Sequence, residues 1–247
     1  MNIKPQRQSK FCTLPLLLVL LLPTLGKAQT SDLARVEYTY FPQSGSDNSF
    51  RRFRTFVNYP VQVNPDAYLV AGLEYRNINL KLRDELPFNA SDKERFQSFK
   101  ISLGFTDAMK NNWRWAVNAT VRLASNFTGG VTGDDYVYGG EVYFIKDNKS
   151  EVQTTVAKPF RLILGISYST IAGRPFPLPL INYNKRFHPN WSFTIGAPKT
   201  NIKYYVTEKS IFQAFVTLDG FYANIQNDIP IPNQNPADTI SFTTVLW

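Results

Sequence analysis

The chain carries one cysteine and one histidine in 247 residues, and it has no apolar run long enough to cross a membrane as a helix. Each shortage excludes something. A single cysteine, Cys12, cannot staple a small extracellular domain. One cysteine and one histidine, His188, leave little from which to build a metal site or a thiol nucleophile, so neither metal nor cofactor is expected. A spanning helix needs roughly 20 apolar residues. The one prominent run, residues 11–22, falls short, and the slightly negative mean hydropathy excludes a polytopic helical membrane protein.

What is present begins with an address. Lys4, Arg7 and Lys10 precede the apolar run, and a polar stretch ends at Gly26-Lys27-Ala28. That order describes a secretory signal peptide, cleaved after Ala28, with residues 29–247 as the mature domain. Removal takes four of the 27 basic residues and no acidic one, lowering the formal charge from +8 to +4. Cys12 leaves as well. Export without cysteine fits the bacterial envelope, and nothing in the chain resembles a nucleic-acid motif.

Beyond the leader, hydrophobic residues alternate in twos. Phe53, Thr55, Val57, Tyr59 and Val61 share one face, opposite Arg52, Arg54, Phe56 and Asn58. Phe99, Ile101, Leu103 and Phe105 oppose Lys100, Ser102, Gly104 and Thr106; Trp113, Trp115, Val117, Ala119, Val121 and Leu123 oppose Arg114, Asn118, Thr120 and Arg122. A period of two means strands, and no comparable segment has a helical period. The pattern predicts an all-β chain of about twelve strands, with ten to fourteen as the range.

Strand length and connection length point to the same architecture. Soluble strands are commonly five or six residues long, whereas a tilted strand crossing a bilayer needs about 9–11. Most runs reach that length, and they carry charge at mid-strand. The odd-numbered connections (42–50, 83–95, 124–135, 171–179, 199–201, 225–238) are mostly long, and the even ones (62–66, 107–112, 146–159, 188–190, 207–210) mostly short. Short periplasmic turns alternating with longer extracellular loops are the mark of an antiparallel transmembrane β-barrel. Segments 146–159 and 199–201 break the alternation. Aromatic residues gather near strand ends, as interfacial girdles do.

Three blocks, Ala34-Arg35-Val36-Glu37-Tyr38-Thr39-Tyr40, Lys158-Pro159-Phe160-Arg161-Leu162-Ile163-Leu164-Gly165 and Thr217-Leu218-Asp219-Gly220-Phe221-Tyr222-Ala223-Asn224, resemble an uncharacterised family of Gram-negative outer-membrane β-barrels. The resemblance implies fold and location but no activity. It also implies the barrel assembly machinery as a partner, which reads a terminal aromatic residue. Trp247 supplies one, yet Ile240, Phe242 and Leu246 run out of phase with Val245 and Trp247, and family members run on for further strands. Trp247 is therefore either a true end or a truncation.

In a barrel, the charges at mid-strand line the interior: Arg52, Arg54, Arg76, Lys100, Arg114, Arg122 and Arg161 against Glu74, Glu141 and Asp219. In a narrow barrel they pair into a structural plug; in an open one the cation excess favours anionic solutes. Outer-membrane lipid and lipopolysaccharide are the expected surroundings. The Pro-rich segment 173–179 reads as a stiff outer loop presenting Arg174 and Phe176.

A catalytic constellation is not evident. His188 sits in a His-Pro-Asn turn on the predicted periplasmic side, and Asp84, Glu85, Asp134 and Asp135 in the outer loops read as solvating carboxylates or as bridges to divalent cations bound to lipopolysaccharide, with an aspartic-type protease site as the catalytic alternative. The expectation is a structural or narrow-pore barrel. An outer-membrane enzyme acting on lipid or lipopolysaccharide, and a soluble periplasmic β-sandwich, are the alternatives.

Overall fold

The computed structural model describes residues 33–42, 45, 47–83, 92–148, 159–207, 210–230 and 235–246. The predicted leader, Asp84, Glu85 and Trp247 lie outside the described residues. The strands are β1 (Ala34–Pro42), β2 (Ser49–Asn64), β3 (Ala67–Lys81), β4 (Arg95–Ala108), β5 (Trp113–Ser125), β6 (Tyr136–Asp147), β7 (Phe160–Ser169), β8 (Phe176–His188), β9 (Trp191–Ala197), β10 (Lys199–Tyr205), β11 (Ile211–Ile229) and β12 (Ala237–Leu246). Consecutive strands pair antiparallel throughout one continuous sheet. The only helical turn among the described residues is the single 3-10 turn Gly133–Asp135.

Antiparallel register turns the alternation along each strand into rows across the sheet, because directly opposed residues share a face. On the exposed face, Val57, Leu73, Ile101, Val121 and Tyr138 form one row. One step along the strands lie Val36, Thr55, Tyr75, Phe99, Leu123 and Tyr136. Tyr38, Phe53, Asn77 and Gln97 come next, then Tyr40, Arg51, Asn79 and Arg95. The exposed face therefore passes from aliphatic to aromatic to amide to cation toward the end of β2–β4 that bears the longer connections.

The ring closes where adjacent numbering does not predict it. β11 pairs with β10 through Ile211 to Thr217 and with β12 through Thr217 to Ile229, and it meets β5 in a parallel bridge between Asn224 and Ser125. That bridge closes a seven-stranded barrel, β5 to β11, with β1–β4 and β12 as additional strands of the sheet. No ladder joins β1 to β12 among the described residues. The physical reason is local. The second half of β11 carries Phe221, Ala223 and Ile225, all buried, whose side chains pack with Ile78, Phe96, Ala124 and Val137 while the strand's ladder is taken up by β12. Phe96 and Phe221 meet edge to face at 6.3 Å, and Phe221 stacks on Phe242 of β12 at 5.3 Å.

The proline-rich segment differs from its reading as a loop. Residues 176–179 belong to β8, with Phe176 opposite Ser169 and Pro179 opposite Ile166. Prolines at alternate positions lack N–H groups on one edge of the strand only, and the pairing of β8 with β9 begins at Ile181, leaving one edge of this stretch without a ladder. The connection shrinks to 170–175, with Arg174 exposed within it. Likewise β10 starts at Lys199, so Pro198 alone joins it to β9.

Gly220 is where the connection after β7 seats on β11. A Cβ there would stand inside contact distance of the Thr170 and Ile171 carbonyl oxygens. Gly220→Ala is expected to lower unfolding stability by about 1–3 kcal/mol through overpacking. Gly130→Ala, which meets nothing within 4 Å, should stay within about 0.5 kcal/mol of wild type in the same urea titration.

Candidate functional site

The buried face of β1–β5 stacks its charges by the same register. Arg35, Phe56, Glu74, Lys100 and Arg122 form one cross-strand row, and Glu37, Arg54, Arg76 and Ser98 the next. A further step places Thr39, Arg52, Ile78 and Phe96 in line, where charge gives way to the apolar cluster.

Glu74 is the centre of this arrangement. Its side chain is 2% exposed, and its oxygens receive Arg54 at 2.7 Å, Arg76 at 2.8 Å, Lys100 at 3.4 Å and Arg122 at 3.6 Å. Asp219 reaches in from β11, pairing with Arg52 and standing 3.7 Å from Arg76. Arg76 also donates to the Gly220 carbonyl at 3.3 Å, and Arg122 donates to Thr170 Oγ1 at 2.9 Å. Arg54 links outward to Glu37 at 3.3 Å. With Arg35, which pairs with Glu37 at 2.9 Å, six cations share three carboxylates, tying five consecutive strands, β1–β5, to β11. Removing a partner from such a set leaves an uncompensated buried charge, which costs several kcal/mol.

Of the ten charges expected to line the interior, Arg52, Arg54, Glu74, Arg76, Lys100, Arg122 and Asp219 come together. Three do not. Arg114 donates to the Asp66 carbonyl at 2.8 Å and lies over the Tyr68 ring, beside a turn. Arg161 pairs with Asp147 at 3.0 Å on the neighbouring strand. Glu141 accepts a hydrogen bond from Ser167 at 3.1 Å. Their strand positions put them toward the end with the shorter turns, two or more rows from Glu74. Glu37 was missed by the sequence reading, although it stands in the alternation of β1 in phase with Arg35 and Thr39.

A second polar cluster ties the β5–β6 connection to β11. Asp135 was expected to be a solvating loop carboxylate, but it is fully buried. It accepts hydrogen bonds from Thr132 N at 2.8 Å, Asn224 Nδ2 at 2.9 Å and Gln226 Nε2 at 2.9 Å. Burial works against its charge, and these donors outweigh that cost, holding the carboxyl below its usual range. Asn126 adds hydrogen bonds to the Asp92 and Gln226 carbonyls and accepts one from Gln226 N. Two of the Asp135 donors, Asn224 and Gln226, come from residues about 90 positions away and have no local signal; only Thr132 is local, in a Thr-x-x-Asp capping pattern around the 3-10 turn that the exposed Asp134 does not share.

His188 is exposed at the end of β8, where Nδ1 accepts a hydrogen bond from Asn190 N of the following turn at 3.2 Å. Among the described residues no group of three or more His, Cys, Asp or Glu side chains gathers closely enough to hold a metal ion. The charged network is suited to holding strands together and to fixing the interior potential. No nucleophile and base face each other within it.

Glu74→Gln should lower the urea-unfolding stability of the refolded protein by about 3–5 kcal/mol. Glu37→Gln, which touches a more exposed part of the network, should cost about 1 kcal/mol or less. For Asp135 the folded value lies below the unfolded one, so its contribution is present above about pH 4 and lost as pH falls through the folded value. The stability gap between wild type and Asp135→Asn, of order 1–3 kcal/mol at neutral pH, should therefore shrink progressively in acid.

No protein-family model, curated protein or solved structure matches the chain, so the reading of this site rests on its own geometry.

Proposed function

We propose that this chain is a bacterial outer-membrane β-barrel protein, exported by the segment ending at Ala28, whose interior is filled rather than open. The observation that carries the reading is the exposed face, where aliphatic rows give way to aromatic and then to polar rows in one direction along the strands. Large exposed residues such as Val36, Tyr59, Ile101, Ile166, Ile195 and Phe212 recur on strand after strand. A soluble monomer rarely exposes a contiguous apolar patch beyond a few hundred Å². Hydrocarbon is the environment in which such a face is satisfied, and the aromatic rows suit its boundary with water.

The interior supports a structural role over a wide pore. The Glu74 network spans the charged rows, and the buried apolar cluster of Ile78, Phe96 and Phe221 occupies the next row along the same face. A narrow passage for anions is the second reading, favoured by the excess of cations over carboxylates in the network. An enzyme acting on lipid would need a base beside a nucleophile; His188 is instead engaged by its own turn.

The refolded protein should migrate faster on a gel unheated than boiled, and it should give no discrete conductance steps in planar bilayers. Removing two rings of the cluster with Phe96→Ala and Phe221→Ala should introduce steps that prefer anions. Recovery of the native protein from the soluble periplasm without detergent would sink the barrel reading; large steps from wild type would sink the filled interior.

A further inference from the structure

The row beyond the aromatic residues is basic, and it faces outward. Arg51 and Arg95 flank Asn79 in one cross-strand row, and Lys81 stands one step further along β3, a separation of about 7 Å. Arg83 follows on the same chain. All four are exposed, and none makes an ion pair among the described residues. Arg51 is braced over the Tyr40 ring at 5.4 Å, and Arg95 Nε is held by Asn77 Oδ1 at 3.0 Å, so two guanidinium groups are oriented rather than free. The same four cations line a cavity of about 620 Å³. Its two carboxylates are occupied: Asp92 pairs with Lys93 at 2.9 Å, and Glu94 accepts a hydrogen bond from Leu82 N at 3.2 Å.

Building on the barrel reading, we infer that Arg51, Lys81, Arg83 and Arg95 form a seat for the phosphate groups of a phosphorylated glycolipid whose acyl chains lie along the apolar rows of β2–β4. Charge and size both select this class. Paired guanidinium forks suit the oxygens of a phosphate, and they are placed just past the aromatic boundary where an amphiphile turns from chain to headgroup. The cavity exceeds what a free phosphate fills and accommodates a phosphorylated sugar. Directly below it, Phe53 and Tyr75 continue into Val57 and Leu73 on the same face, which gives acyl chains a surface that a soluble anion would not use.

The test uses the full chain refolded in detergent, with fluorescent diphosphoryl lipid A as the probe. Its competitors are a glycolipid with the same acyl chains but no phosphate, and inorganic phosphate. Arg51→Gln and Arg95→Gln should each weaken probe binding about tenfold, and the double variant about a hundredfold. The phosphate-free glycolipid should compete no better than it does against the double variant, and inorganic phosphate should compete only at far higher concentration. Undiminished binding by the double variant, with its unheated gel band retained, overturns the seat. Equal competition by the phosphate-free glycolipid does the same. Displacement by inorganic phosphate at probe-like concentration would identify a free-anion site instead and overturn the glycolipid assignment. A wild-type protein that stays soluble without detergent overturns the barrel reading itself, and this inference with it.

Discussion

A charge can be buried only beside its opposite, and in this protein that constraint falls on one carboxylate. Glu74 receives Arg54, Arg76, Lys100 and Arg122, and without it those cations would face one another across β2–β5 with only Asp219 and Glu37 to balance them. The consequence reaches beyond β1–β5. Because Glu74 and Glu37 are fewer than the cations of β1–β5, Arg52 and Arg76 turn to Asp219 and to the Gly220 carbonyl, and this draws β11 against the buried face. The aromatic packing of Phe221 on Phe96 and Phe242 then completes what the ion pairs align.

The two faces of the sheet obey one rule with opposite chemistry. On the buried face, polar rows lie in the middle and apolar residues close one end. On the exposed face, apolar rows lie in the middle and cations mark that same end. On the proposed membrane reading, lipid outside and a charged interior impose this inversion, since a side chain facing hydrocarbon has no hydrogen-bonding partner and one facing the interior has several. The polar cluster at Asp135 belongs to the same end of β5 and β11, where Asn224, Gln226 and Asn126 satisfy backbone and side-chain groups beside the parallel bridge.

Much of this was legible from residue order alone. The runs beginning near Arg52, Tyr68, Phe99 and Trp113 alternate so regularly that their faces follow from counting, and with them the placement of Arg52, Arg54, Glu74, Arg76, Lys100 and Arg122 on one face. Arg114, Glu141 and Arg161 obey the same alternation yet lie outside the Glu74 network, because a period of two assigns a face and says nothing of height along the strand. Residues 176–179 misled for a different reason. Proline commonly interrupts strands, but at an edge without a ladder its missing N–H costs nothing, and that edge is a property of the neighbour.

The sequence by itself determined the all-β character and the separation of apolar from charged faces, because both depend on the two-residue period of an extended chain. Only the tertiary structure decided that the ring closes through Asn224 and Ser125, that Asp219 joins the network and that Asp135 is buried. Each of these brings together residues scores of positions apart, and their meeting is set by register and by the packing of the second half of β11, neither of which leaves a local trace.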